Sequence, residues 1–309
     1  MKTIIAGMLI LLSLTFGNKY DEMLKSGKFN EFEQSIKSEP EEIQLYWKGK
    51  MNFEKKDYEM ATDYFDDLVS LVENNSDYHL QRAKAYLELM KTSSMMSIPF
   101  QASKAKNSLV KSVEIDPNNI DARIYLSMYL FNAPAIGGGD KGEAYNHMKI
   151  VFSQNRQVGF GLLMDLYTSD EKIEEAKNLL NSIPENERNS NYYYRSGFLM
   201  QSIKDYENAF NNFMKSIELD PNNGSSYYQY GRTAIFSKKN IEKGINFLKK
   251  YLELEISTDM PQKDSAYWRL GMLYEINGDK IKAKECYNNG LALNNTNEEL
   301  KNSLENIGE

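Results

Sequence analysis

The sequence predicts an all-α chain of stacked antiparallel helix pairs, and three observations point to it. Marker residues recur at a fixed interval: Tyr193 and Gly197 reappear 34 residues later as Tyr227 and Gly231. The tetrapeptide Asp-Pro-Asn-Asn stands twice, at 116–119 and 220–223, where it would close one pair and open the next. Proline is otherwise scarce, 7 in 309 residues, while Leu, Met, Ala, Glu and Lys are abundant, which favours helix. A period of this length is the mark of a repeat architecture.

Taken in order, residues 1–17 read as a signal peptide. Lys2 supplies a positive start, and an apolar run follows from Ile4 to Phe16, with small residues at Thr15 and Gly17 for cleavage. The run is shorter than the roughly 20 apolar residues a membrane-spanning helix needs. Export, with a mature chain from Asn18, is therefore expected. The alternative is an uncleaved segment tethering the chain to a membrane. No cysteine lies near the cleavage site, which disfavours a lipid anchor.

Residues 18–40 are expected to form a helical hairpin or half-repeat. About seven helix pairs should then fill 41–295. Leu45, Gly49, Ala61 and Phe65 mark the first full unit, with the same 12 residues from Gly to Ala that separate Gly197 from Ala209. The unit opening with Tyr78, Ala83 and Tyr86 reaches Ala105 late, through an insertion near 87–100 broken by the Ser/Met-rich stretch Thr92–Ser97. The next, with Ala122, Leu126 and Ser127, carries a second insertion near 132–142 before Ala144. A degenerate unit with short helices follows (Phe160, Met164, Tyr167, Ala176, Leu180, Pro184). The clearest unit, 190–223, adds Ala209 and Phe213 to the markers above. Gly271 comes 40 residues after Gly231, the six extra residues falling near Ser257–Lys263; its unit has Tyr267, Leu270, Tyr274, Ala283 and Tyr287. Residues 296–309 should form a polar-faced capping helix, as the end of a stacked array requires.

The physics behind the markers is simple. Each unit is two amphipathic helices with apolar residues three and four apart. A Gly in the first helix, expected to face the Ala of the second, lets two backbones approach. Proline cannot continue a helix, and Asn or Asp can cap the next one. One pair cannot bury its apolar face, so neighbours must stack. Over about 41–295 these residues resemble the tetratricopeptide-repeat (TPR) family, which implies a right-handed superhelical solenoid and a protein-interaction role. Over Tyr78–Phe152, the extended pair followed by Ala133-Pro134 and Gly137-Gly138-Gly139 resembles exported bacterial TPR proteins, which implies the periplasm.

Charge and motifs exclude more than they suggest. A net charge of -7 argues against nucleic-acid binding, which needs a basic surface. A single cysteine, Cys286, rules out an intramolecular disulfide framework or a Cys-rich metal site. His79 and His147, the only histidines, lack zinc spacing. Gly137 to Gly142 satisfies G-x-G-x-x-G literally, but a helix rather than a strand precedes it, so a loop whose glycines permit positive φ is expected, with a partner contact as the functional alternative. Asp220-Pro221-Asn222-Asn223-Gly224 begins like a calcium loop without the later Glu. No catalytic constellation, metal or cofactor is expected.

Binding has more support. In the TPR resemblance the first helix of each pair lines the concave face. Tyr194-Arg195, Tyr228-Gln229 and Trp268-Arg269 then fall there, with Phe198, Arg232 and Met272 one turn later. Tyr194, Arg195, Phe198, Tyr228, Arg232, Trp268 and Arg269 are thus the candidate partner-binding residues. They suit an acidic or C-terminal peptide with apolar anchors. Packing between repeats is the competing role for the same aromatics. Tyr46 and Trp47 offer similar chemistry in the first full unit. Two other classes remain open: a small-molecule or lipid receptor of a transport system, with a closed pocket beneath Tyr86–Ser112, and a structural subunit of an envelope complex. Membrane contact is expected only through the N-terminal segment or a partner.

Overall fold

The computed structural model describes residues 19–257 and 260–307. The signal-peptide reading of 1–17 lies outside the described residues. Two compact units divide the chain at Gly159 and Phe160. Among the described residues there is helix and no strand.

In the first unit, α1 (19–25) and α2 (Phe29–Ser35) form a short hairpin. Next come α3 (Glu41–Glu54), α4 (Tyr58–Leu71), α5 (Ser76–Met90), α6 (Ile98–Ile115), α7 (Ile120–Asn132) and α8 (Lys141–Gln154). A 3₁₀ turn, η1 (Ala135–Gly137), interrupts the last connection, and α9 (Arg156–Ser169) begins here and ends in the second unit. The second unit continues with α10 (Ile173–Asn181), a 3₁₀ turn η2 (Glu185–Glu187), α11 (Ser190–Ser202) and α12 (Tyr206–Leu219). After these come α13 (Gly224–Ser237), α14 (Ile241–Glu253), α15 (Lys263–Ile276), α16 (Lys280–Leu293) and α17 (Glu298–Asn306). Helices pack in pairs, α3 on α4, α5 on α6, α7 on α8, α11 on α12, α13 on α14 and α15 on α16. Within the second unit α13 also touches both α11 and α15, so these first helices lie side by side.

Sequence explains the closeness of four of these pairs. A β-carbon built on Gly197 would sit 2.7 Å from the Phe213 ring, and one on Gly231 2.5 Å from Leu248. Gly49 faces Phe65 and Gly271 faces Tyr287 in the same way. The glycine therefore receives not the alanine but the large side chain four residues after it: Phe213 follows Ala209, and Tyr287 follows Ala283. Residues three or four apart share a helix face, which is why the alanine marks the right face but the wrong turn.

Turns within pairs repeat a second device. Lys56, Lys204 and Gly278 take positive φ (62°, 63° and 82°), and the Asp that follows each caps the next helix. Turns between pairs use asparagine at both ends of its amide. Asn119, Asn223 and Asn297 accept from the amides of Ala122, Ser226 and Leu300 at 2.9, 3.1 and 3.2 Å. Their Nδ2 atoms donate back to Ser76, Ser190 and Asp264, in the first turns of the preceding pairs, at 2.8, 2.9 and 2.8 Å. Ser76 and Ser190 are further tied to Ser112 and Ser216 by reciprocal hydroxyl-to-carbonyl bonds.

Trp47 is core rather than binding surface: it packs edge-on to Tyr20 and Phe32 at 5.3 and 6.3 Å and is buried. Tyr46, half-buried, packs against Trp47 and Tyr78. Of the four glycines in 132–142 only Gly138 takes positive φ, at 80°. Gly139 instead needs to be Gly because any β-carbon would collide with the Ala133 carbonyl.

Candidate functional site

The side-by-side first helices α11, α13 and α15 carry all seven candidate residues. On α11, Tyr194 is half-buried, its ring 6.5 Å from Phe198 and 6.3 Å from Phe213. Burial raises its phenol pKa, against the opposing pull of Ser225 and Arg232. Arg195 is already neutralised: it forms an ion pair with Asp165 of α9 and donates Nε–H to Asn191 Oδ1 at 3.3 Å. Gly161 of α9 leaves room for that pairing, since a β-carbon there would lie 3.3 Å from Asn191 and 3.4 Å from the guanidinium. Burial lowers the Arg195 pKa to about 10.

On α13, Tyr228 is only 5% exposed and packs on Tyr251 at 5.3 Å. It is an aromatic of the core whose hydroxyl alone reaches this face, accepting from Arg269 Nε at 2.8 Å. Trp268, half-buried on α15, donates its indole N–H to Ser303 of α17 at 3.0 Å, and Arg269 stacks 4.9 Å from its ring centroid. Sequence position could not separate these aromatics, because equal register does not mean equal cover by the neighbouring pair.

Arg232 is the outlier. Its guanidinium lies 5.1 Å from the Phe236 ring centroid, and its Nε is buried without a hydrogen-bond partner. Burial lowers its pKa, and the positive charge of Arg269 lowers it further. Neither Arg232 nor Arg269 has a carboxylate in ion-pair range among the described residues, in contrast to Arg195. Two adjacent cations without a counter-charge favour an anionic group brought by something else. Asp165, Asn191, Ser225 and Ser303 were missed in the sequence. Only Gly161, a small residue one turn before Asp165, hinted at the first.

The remaining singled-out groups have structural surroundings. Cys286 is buried and its thiol pKa is pushed up to about 11, by burial and then by Glu285. His79 bonds the Glu73 carbonyl through Nε2 at 2.8 Å, and Nδ1 of His147 lies 3.2 Å from buried Arg123. Among the described residues no group of three His, Cys, Asp or Glu side chains is placed to hold a metal ion.

Residues 190–223 and 264–297 match one family model described as tetratricopeptide repeat, and 212–245 match a second of the same description. These segments are tetratricopeptide repeats. The first two coincide with α11–α12 and α15–α16 plus the turn after each. Solved structures extend the likeness of fold over most of the chain. A TPR protein from Parabacteroides merdae is 14% identical, covering 87% of this chain and 99% of that one, at a TM-score of 0.59. A chain of the APC/C Cut9–Hcn1 hetero-tetramer is 15% identical over 94% of this chain, at a TM-score of 0.55; the match spans 53% of its own length. Human IFIT1, solved as a dimer with PPP-AAAA, is 14% identical, covering 99% of this chain and 76% of that one, also at 0.55. No curated protein sequence matches the chain. TPR repeats as a class serve protein–protein interaction, and TPR folds are typically non-enzymatic scaffolds.

Proposed function

We propose that this TPR chain is an interaction scaffold whose α11–α13–α15 face takes a peptide or protein partner bearing acidic groups and apolar anchors. One observation carries the reading: Arg232 and Arg269 stand together without a carboxylate, and Arg232 keeps a buried donor unbonded. Half-buried Tyr194, Phe198 and Trp268 supply apolar contact area around them. Arg195, occupied by Asp165, shapes the edge of the face, and Tyr228 orients Arg269. Selection of a displayed random-peptide library on the chain tests this. Carboxylates flanked by aromatic or aliphatic residues should be enriched, and the enrichment should vanish on the Arg232→Gln, Arg269→Gln variant. Equal enrichment on both proteins would remove the arginines from the reading.

The same proposal places the scaffold in the bacterial cell envelope, on the strength of the leader-like residues 1–17. N-terminal sequencing of the mature protein should begin near Asn18. An intact Met1 would favour the tethered alternative.

A further inference from the structure

We propose that Gln229 reads a carboxamide, the side chain of an Asn or Gln, that the partner presents beside its acidic group. This role rests on the binding face proposed above and adds the neutral half of what that face recognises. Four buried side-chain nitrogen or oxygen atoms among the described residues lack a hydrogen-bond partner: His79 Nδ1, Gln101 Oε1, Gln229 Oε1 and Arg232 Nε. His79 and Gln101 each use their other polar atom inside the chain, on the Glu73 carbonyl at 2.8 Å and the Ser93 hydroxyl at 2.7 Å. The side chains of Gln229 and Arg232 make no hydrogen bond at all among the described residues. They stand three residues apart, on one face of α13.

Register sets Gln229 apart. It holds the place of Arg195 and Arg269, two residues before the marker glycine. Each of those arginines reaches back to the preceding first helix, Arg195 to Asp165 of α9 and Arg269 to the Tyr228 hydroxyl of α13. On α11 the counterpart of Tyr228 is Tyr194, whose phenol interacts with Ser225 instead. The middle member of the row is left without a mate. Its backbone is well held, the Gln229 carbonyl accepting from Gln201 Nε2 at 3.2 Å and from Thr233 Oγ1 at 2.7 Å. Only the side chain, at 8% exposure, is unsatisfied. A buried acceptor without a donor destabilises the free chain, and a group that donates to it removes that penalty.

Chemistry selects the group. Oε1 is the buried arm of the Gln229 amide; Nε2 has no partner either and is not closed off from solvent. An acceptor and a donor on one carbon are best met by a donor and an acceptor on one carbon, which is another carboxamide. A trans main-chain peptide unit turns its N–H and C=O to opposite sides, so it serves one arm at a time. A carboxylate has no hydrogen to give. It suits Arg232 and Arg269, which have no carboxylate of their own, and leaves Gln229 Oε1 as it was. Acid and amide therefore sort between neighbours on one helix face, the acid to the arginines and the amide to Gln229.

The test selects a displayed random-peptide library on the full chain and on its Gln229→Met variant, whose unbranched side chain has a similar length. The wild-type chain should enrich Asn or Gln at a fixed spacing from the carboxylate. On Gln229→Met that enrichment should vanish, while carboxylates stay enriched through Arg232 and Arg269. A selected peptide is then remade with its Asn replaced by Leu, or its Gln by Met, keeping the shape and removing the amide. Affinity for the wild-type chain should fall about tenfold or more, and affinity for Gln229→Met should barely change. The melting temperature of free Gln229→Met should hold or rise, because no internal hydrogen bond is lost. A clear drop would make Gln229 a structural residue and overturn the proposal. Equal Asn and Gln enrichment on both proteins, or full wild-type affinity for the remade peptide, overturns it as well. Carboxylates enriched on the wild-type chain without Asn or Gln end this role and leave the arginine face standing. Enrichment of neither ends both.

Discussion

In four of the helix pairs a single glycine decides whether the pair can close. Gly197 and Gly271 receive the rings of Phe213 and Tyr287, and in both places a β-carbon would fall far inside van der Waals contact. Gly197→Leu or Gly271→Leu should therefore lower stability by about 1–3 kcal/mol through overpacking, read as a shift in denaturant midpoint at unchanged slope. Unchanged midpoints for both variants would show that the rings can move aside freely. The Tyr that stands four residues before each of them, as it does before Gly231, made these glycines legible, because spacing reports which positions recur. It could not report which turn of the second helix fills the gap. The arginines show the same limit more sharply. Arg195 and Arg269 hold the same register in sequence, but the Asp165 carboxylate reaches the first from α9, while the second meets only the Tyr228 hydroxyl.

Turns between pairs are held by the asparagine device, which the sequence showed as a stop and a cap but not as a tie back to the preceding pair. Asn223 caps α13 with its oxygen and ties back to Ser190 with its nitrogen. Asn223→Asp keeps the cap and loses the donor, so it should cost about 1 kcal/mol, the worth of one hydrogen bond. Asn297 makes the same two bonds, but its donor meets the Asp264 carboxylate. Burial pushes the Asp264 pKa up, yet bonds from Asn297 and Asn294 outweigh it and leave the group below the usual carboxylate range. A depressed folded pKa means that this stabilisation is complete above the unfolded value near 4 and is lost as pH falls through the folded one. Asn297→Asp replaces the donor with a second carboxylate. It should cost about 3 kcal/mol at neutral pH, and the deficit should shrink as acid protonates one of the pair. Thermal melts of both variants at pH 7 and near 4 check this; a pH-independent deficit for Asn297→Asp would mean that the two carboxylates do not face each other. The insertions were legible as departures from the period. Their form was not, because it depends on Lys106 and Tyr129 binding loop carbonyls that no periodicity encodes.

Over the whole molecule, 44 acidic residues outnumber 37 basic ones, for a net charge of -7. An acidic partner therefore meets repulsion from the chain at long range and attraction only on reaching Arg232 and Arg269. The two effects respond to salt in opposite senses. Screening acts within about 10 Å at 0.1 M salt, so added salt relieves the repulsion that slows encounter. It also weakens the arginine contacts that hold the complex, as far as those stay wet. For an acidic peptide selected on the wild-type chain, the association rate should hold steady or rise with salt while dissociation quickens. A neutral peptide with the same apolar residues should show neither trend. In the Arg232→Gln, Arg269→Gln variant, dissociation should lose its salt dependence and affinity should fall by about 2 kcal/mol or more. The melting temperature should stay nearly constant, because neither guanidinium has a carboxylate to lose and Gln can still donate to Tyr228. Trp268→Ala would be a poorer probe, since it also cuts the bond that holds α17 through Ser303. Full-strength binding by the folded arginine variant would remove this face as the binding site. A melting temperature that drops in step with affinity would make the arginines structural instead.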